Sequence, residues 1–164
     1  MKETFERSEI LDDIAPCGFC CFTCAAKKGG AIEESAARLN CYLEGYYEFT
    51  KTNLPFKYRA YCKRIKTLTN ELEHLSSRKC GGCRSGADEK CCIPDCVILQ
   101  CAETHGVDFC GECSEFPCNK AGSSLKGITL KEWRSNNEMI KKNGIEEYYK
   151  FAVSRSHYSF YKEK

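Results

Sequence analysis

The sequence predicts a mainly α fold: a helical hairpin plus C-terminal helices, with two irregular cysteine-knuckle tracts folded around metal ions. Three observations predict it. Fifteen of the 164 residues are cysteine, thirteen of them lie in two dense tracts, and the stretches between and after the tracts carry apolar residues at helical spacing. The expected layout is a single domain over 1–164. The cysteine tracts occupy 15–28 and 79–120, with an inserted helical hairpin at 30–76 and a C-terminal helical pair at 121–164.

Between the tracts, Ile32, Ala36, Leu39, Leu43 and Tyr46 recur at steps of four and three, and Leu54, Tyr58, Tyr61, Ile65, Leu68, Leu72 and Leu75 repeat the pattern. Such stripes mark helices packing along their length, as core or, as a second option, in a dimeric coiled coil. The short Phe49–Asn53 segment is expected to be the hairpin loop, with Asn53 capping the second helix and Pro55 in its first turn. Beyond the second tract, Thr129-Leu-Lys-Glu132 reads as a capping box. Leu130, Trp133, Asn137 and Ile140 then share one face, and Asn143-Gly144 ends that helix. Ile145, Tyr148, Tyr149 and Ala152 point a final helix inward. Within the tracts, helical spacing is confined to a short piece near Val97–Glu103.

Charged residues make up 29% and hydrophobic residues 42% of the chain, a globular balance that excludes disorder as a general description. The opening Met-Lys-Glu-Thr-Phe-Glu-Arg is too charged for a secretory signal, and no apolar run is long enough to span a bilayer. A cytoplasmic protein without a membrane partner is expected. In that compartment dense cysteine means metal or redox chemistry more often than disulfides. An odd count and the adjacent pairs Cys20-Cys21 and Cys91-Cys92 agree. A formal net charge of +2 gives no electrostatic case for nucleic acid.

Four Cys-x-x-Cys pairs carry the chemistry: Cys17/Cys20, Cys21/Cys24, Cys80/Cys83 and Cys110/Cys113. Two intervening residues let one turn of backbone bring two sulfurs to one tetrahedral ion. Gly18, Gly81, Gly82 and Gly111 stand where such turns are tight, so that backbone N–H groups approach the sulfurs. With Cys91, Cys92, Cys96, Cys101 and Cys118 beside them, these eight complete the candidate ligands. Lys79, Arg84 and Lys90 stand close by to offset thiolate charge. Soft thiolates suit zinc, as two or three ions, or an iron–sulfur cluster as the alternative. Zinc is favoured because the ferredoxin run Cys-x-x-Cys-x-x-Cys-x-x-x-Cys-Pro is absent.

The ordered motifs Cys17-Gly-Phe-x-Cys21-x-x-Cys24, Cys80-Gly-Gly-Cys83, Cys92-x-x-x-Cys96-Val-Ile-x-x-Cys101-Ala and Cys110-Gly-Glu-Cys113-Ser-Glu-Phe-Pro-Cys118 resemble a known family over about residues 15–120. It is the family catalogued as domain of unknown function 3795, whose members open Cys-Gly-Leu-x-Cys-x-x-Cys and close Cys-x-Glu-Cys-x-x-Tyr/Phe-Pro-Cys. The resemblance implies a shared set of Cys17, Cys21, Cys24, Cys80, Cys83, Cys92, Cys96, Cys101, Cys110, Cys113 and Cys118. This chain departs from the family in its third motif, where the first spacing is three residues and Ile98-Leu99 replaces Ile-Arg. The family implies metal and no particular reaction.

Cys20 and Cys91 read equally as bystanders or as ligands that complete a set. Cys41 and Cys62, outside the tracts, read as partly buried thiols. His105 is the histidine best placed to ligate. His74 reads as solvated, and His157 as part of a solvated or docking tail, with a phosphate or substrate contact as the second option. Lys57, Arg59, Lys63, Arg64 and Lys66 read as a solvated helix face, with single-stranded RNA as a remote option. The expected function is a binding or regulatory module for an unknown protein partner. Electron transfer or redox enzymology through an iron–sulfur cluster is the alternative, and metal storage or delivery is a third, weaker reading.

Overall fold

The computed structural model describes residues 5–85, 93 and 96–162, so Lys90, Cys91 and Cys92 lie outside the described residues. The fold is mainly helical: α1 (Arg7–Asp13), α2 (Ala31–Tyr42), α3 (Tyr46–Asn53), α4 (Arg59–Leu75), α5 (Val97–Thr104), α6 (Ala121–Ser124), α7 (Gly127–Asn143) and α8 (Ile145–Val153). Among the described residues there is no strand, only two isolated bridges, Ile14 with Cys20 and Lys27 with Cys80. No helix among them is long and apolar enough to cross a membrane.

Two small cores organise the half that carries the cysteines. Ile10 and Ile14 pack with Cys20, Phe109, Ile140, Tyr148, Tyr149 and Ala152. Ile98, Phe116, Ala121, Leu125 and Trp133 form the second, with Cys17, Cys96, Cys110 and Cys113 on its border. Helix α7 supplies Ile140 to the first and Trp133 to the second, so it separates and braces both. The expected inward residues of α7 and α8 are inward, and Gly144 (φ 82°) follows α7. The short helix near Val97 is α5.

The insert differs from the expected hairpin. Phe49–Asn53 is the end of α3, not a loop; the chain breaks earlier, at Gly45, whose φ of 74° only glycine adopts freely. Asn53 caps nothing ahead of it: its amide donates back to the Phe49 carbonyl at 2.9 Å. Pro55 instead precedes a 3-10 turn at Phe56–Tyr58 that runs into α4. Helices α2 and α3 each pack on α4, yet only Ala36, Thr50, Ile65 and Leu72 are buried in this layer, and Leu39, Tyr58 and Leu68 of the predicted stripes are exposed. The capping box is also displaced. Helix α7 starts at Gly127, where the Thr129 hydroxyl accepts the Lys126 N–H at 3.2 Å, and Glu132 pairs with Arg155 at 2.8 Å instead.

Candidate functional site

Backbone hydrogen bonds draw three distant cysteine segments to one place. In the first knuckle Ala15 N–H donates to Phe19 at 2.9 Å and Gly18 N–H to Ala15 at 2.8 Å, while Cys21 N–H donates to Asp13 at 2.6 Å. Lys28 N–H reaches Cys80 at 2.9 Å, and Cys110 N–H reaches Pro16 at 2.9 Å. The second tract is thereby tied to the first at two points.

Asn137 locks the outer of these ties. Its side chain is fully buried. Its Nδ2 donates to the carbonyls of Cys17 at 2.9 Å and Trp133 at 2.8 Å, and its Oδ1 accepts Gly111 N–H at 2.8 Å. One amide thus joins the first knuckle to the Cys110/Cys113 knuckle. Both knuckles press on α7 closely enough to need glycine. A Cβ on Gly111 would stand 2.6 Å from the Asn137 carbonyl oxygen, and Gly18 (φ 78°) would meet Asn137 Nδ2 at 3.0 Å. The buried Tyr148 hydroxyl donates to the Gly18 carbonyl.

The result is that thiols of both tracts lie near one another. Cys17 and Cys21 are each pushed well above the ordinary thiol range, first by burial and then by neighbouring sulfurs. Those of Cys83, Cys110 and Cys96 act on Cys17, and those of Cys83, Cys17, Cys24 and Cys20 on Cys21. Cys110 is pushed up to about 11, again by burial first, then by Cys118, Cys101 and Cys113. Cys17 is thus coupled to Cys83, Cys110 and Cys96, Cys21 to Cys83, Cys17, Cys24 and Cys20, and Cys110 to Cys118, Cys101 and Cys113, so the thiols of the two tracts form one overlapping set. All thirteen described cysteines are free thiols. Among the described residues, no three His, Cys, Asp or Glu side chains form a group able to hold a metal ion as they stand.

Against the effect of burial, several donors face the sulfurs. The buried Trp133 Nε1 and Thr23 Oγ1 have no hydrogen-bond partner of ordinary geometry. Each lies against a sulfur whose pKa it lowers, Trp133 against Cys110 and Thr23 against Cys20. Phe19 N–H does the same for Cys17. Donors aimed at sulfur gain most when the sulfur is ionised. Arg84 adds a fixed cation. Its Nη1 donates to the carbonyls of Leu11 at 2.8 Å and Ile14 at 2.6 Å, and its other terminal nitrogen donates to Asp108. Burial lowers its pKa, while Asp108, Cys83, Cys21 and Cys17 raise it. Lys27, buried, donates to Asp12 at 2.8 Å and to the Gly81 carbonyl at 3.0 Å.

The remaining candidates sort by position. Cys20 lies in the apolar core, its thiol raised mainly by burial and facing donors from Thr23 and Phe22. Cys80 sits at the tie to Lys27 and Lys28. Cys62 is partly buried, its thiol donating to the Thr50 carbonyl at 3.5 Å, but Cys41 is exposed, against expectation, because it falls on the outer side of α2. His105 turns Nδ1 to the Cys101 carbonyl at 2.7 Å and Nε2 to Glu115 at 3.4 Å. His157 donates to the Cys20 carbonyl at 2.7 Å between Phe19 and Tyr158, docking the tail. Sequence reasoning placed Asn137 on an apolar face and missed its role. A polar side chain in the middle of that stripe was the signal.

A mainly helical frame whose knuckles draw the thiols of two cysteine tracts together defines a cysteine-rich protein. The chain belongs to the family described as protein of unknown function (DUF3795), whose model matches residues 13–123, the span that holds every cysteine of the chain. No match was found among curated proteins or among solved structures.

Proposed function

We propose that the protein binds metal through two four-thiolate sites, Cys17/Cys21/Cys24/Cys83 and Cys101/Cys110/Cys113/Cys118, and that the metal is zinc in a structural role. The observation that supports it is the overlap of buried thiols from separate segments of the chain, with Cys17 and Cys21 both coupled to Cys83 and Cys110 coupled to Cys101, Cys113 and Cys118. Cys80 and Cys96 are the further candidates, as exchange or third-ion ligands. Zinc takes four thiolates tetrahedrally, and a four-thiolate zinc site is an anion of charge −2, which Arg84 and the N–H donors offset. The binding free energy then becomes folding free energy for a region with little core of its own. A module folded in this way presents a rigid surface for a partner.

Elemental analysis with a visible spectrum, on protein purified without oxygen, tests this reading. Two zinc ions per chain and no visible band are expected. Iron with matching acid-labile sulfide would replace zinc with an iron–sulfur cluster on the same cysteines and direct attention to redox chemistry. Cys83→Ser and Cys113→Ser should each remove about one ion, and the pair together both. Unchanged stoichiometry in both single variants would overturn the grouping.

A further inference from the structure

The whole-chain charge of +2 conceals an uneven distribution. Residues 49–70 contain Lys51, Lys57, Arg59, Lys63, Arg64 and Lys66 and no Asp or Glu. Because the chain is +2 and this segment +6, the remainder carries −4. The six cations occupy the end of α3, the 3-10 turn and the first half of α4, and all are exposed. Arg59, Lys63 and Lys66 follow one another at steps of four and three, so they line one side of α4 over about 10 Å.

Aromatic rings stand among these charges. Phe56 is 81% exposed and Phe49 57%. Arg59 lies over the Phe56 ring at 5.6 Å, Lys57 over Tyr58 at 5.2 Å, and Lys51 and Lys66 over Tyr47 at 6.0 and 5.6 Å. Lys66 therefore places α3 on the same side as the α4 stripe, and Arg59 places Phe56 there too. Glu48 makes an exposed pair with Lys51 at 3.6 Å, which holds that lysine weakly.

We infer that this face of the insert binds single-stranded nucleic acid, with Phe56 and Tyr47 as stacking platforms and Arg59, Lys63 and Lys66 as phosphate contacts. A single strand offers a base plane and a phosphate in alternation, and this face offers rings and cations in the same alternation. An anionic membrane is served less well. Interfacial helices segregate a continuous apolar face from a basic one, whereas here Phe56, Tyr58 and Tyr47 each bear a cation that insertion would drag into the acyl region. Duplex readout through a groove needs an array matched to both strands, and an exposed phenylalanine adds nothing to it.

The test is fluorescence anisotropy of the full chain, as purified with its metal, against labelled 12-mers of oligo(U) and oligo(dT), a 12-bp duplex, and vesicles containing one-third phosphatidylserine. Binding to the single strands in preference to the duplex is expected. Phe56→Ala should weaken it about ten-fold, the stacking of one base, and Phe56→Trp should restore it. Arg59→Gln/Lys63→Gln/Lys66→Gln should flatten the salt dependence by about two in log–log slope, at roughly 0.7 per phosphate lost on a single strand. These side chains are exposed, so the variants should melt with the parent. No binding to either oligonucleotide, preference for vesicles, or equal affinity of parent and Phe56→Ala would overturn the inference.

Discussion

Replacing Asn137 by alanine removes a side chain on which both knuckles close. Three hydrogen bonds are lost at once, at 2.9, 2.8 and 2.8 Å. The Trp133 carbonyl is within α7 and keeps a helical partner available. The Cys17 carbonyl and the Gly111 N–H lose this partner in a buried place. Each such orphan costs about 1–3 kcal/mol, and the small void adds of order 1 kcal/mol, so the loss is about 3–7 kcal/mol. Against a typical stability of 5–15 kcal/mol this is a large share, and it falls on the joint between the first knuckle and the Cys110/Cys113 knuckle. Urea unfolding of metal-loaded protein should show the midpoint fall with little change of slope, and a colorimetric chelator should strip metal faster from the variant. Asn137→Asp should be no better at neutral pH, since a buried carboxylate would keep the Gly111 bond but face the Cys17 carbonyl with no donor. A loss below about 0.5 kcal/mol in Asn137→Ala, with unchanged metal release, would refute the claim that this amide joins the knuckles.

Gly111→Ala should cost more than a usual core methyl, about 2 kcal/mol or above, because the added carbon meets backbone at 2.6 Å and Ile140 Cβ at 2.9 Å; a thermal melt reads it directly. Arg84→Gln should weaken metal retention and lower stability by about 2–4 kcal/mol, as buried carbonyls of Leu11 and Ile14 lose their donor and the thiolates a nearby cation; chelator competition separates the two effects. Asp13 gives a pH dependence of known sign. Burial holds its carboxyl above the usual range despite the Tyr149 hydroxyl that donates to it at 2.6 Å. The folded state therefore binds the proton more tightly than the unfolded one. Stability from this group is greatest below the unfolded pKa and declines as pH rises through the folded value. Asp13→Asn should remove that decline from a pH series of urea midpoints, and an unchanged slope would contradict it. Cys62→Ser should leave both metal content and melting temperature nearly unchanged.

What the sequence made legible was local. The inward faces of α7 and α8 followed from spacing, because those helices bury one side against a single core. The insert was harder, since its stripes are only partly covered and its break is set by one left-handed glycine, Gly45, while Asn53 and Pro55 look like a helix start. Helix α1 went unread because seven residues with one buried side chain, Ile10, give no period to detect. Cysteine spacing identified the thiols as a set and left their grouping open. That grouping depends on contacts such as Cys110 with Pro16 and Lys28 with Cys80, made by backbone atoms that carry no sequence signature.

The pairing of Lys27 with Cys80 has a consequence for how this chain can change. The path that leaves at 28 returns at 79 to the very place it left, and Arg78 N–H is fastened back to Glu33 at 2.7 Å near the same spot. The excursion between is a closed side branch. Its length can grow or shrink without moving the thiols, since loop closure depends only weakly on length. Mutation can therefore remodel the basic and aromatic surface freely while the cysteine frame stays fixed, so relatives of one frame can carry different branches and meet different partners.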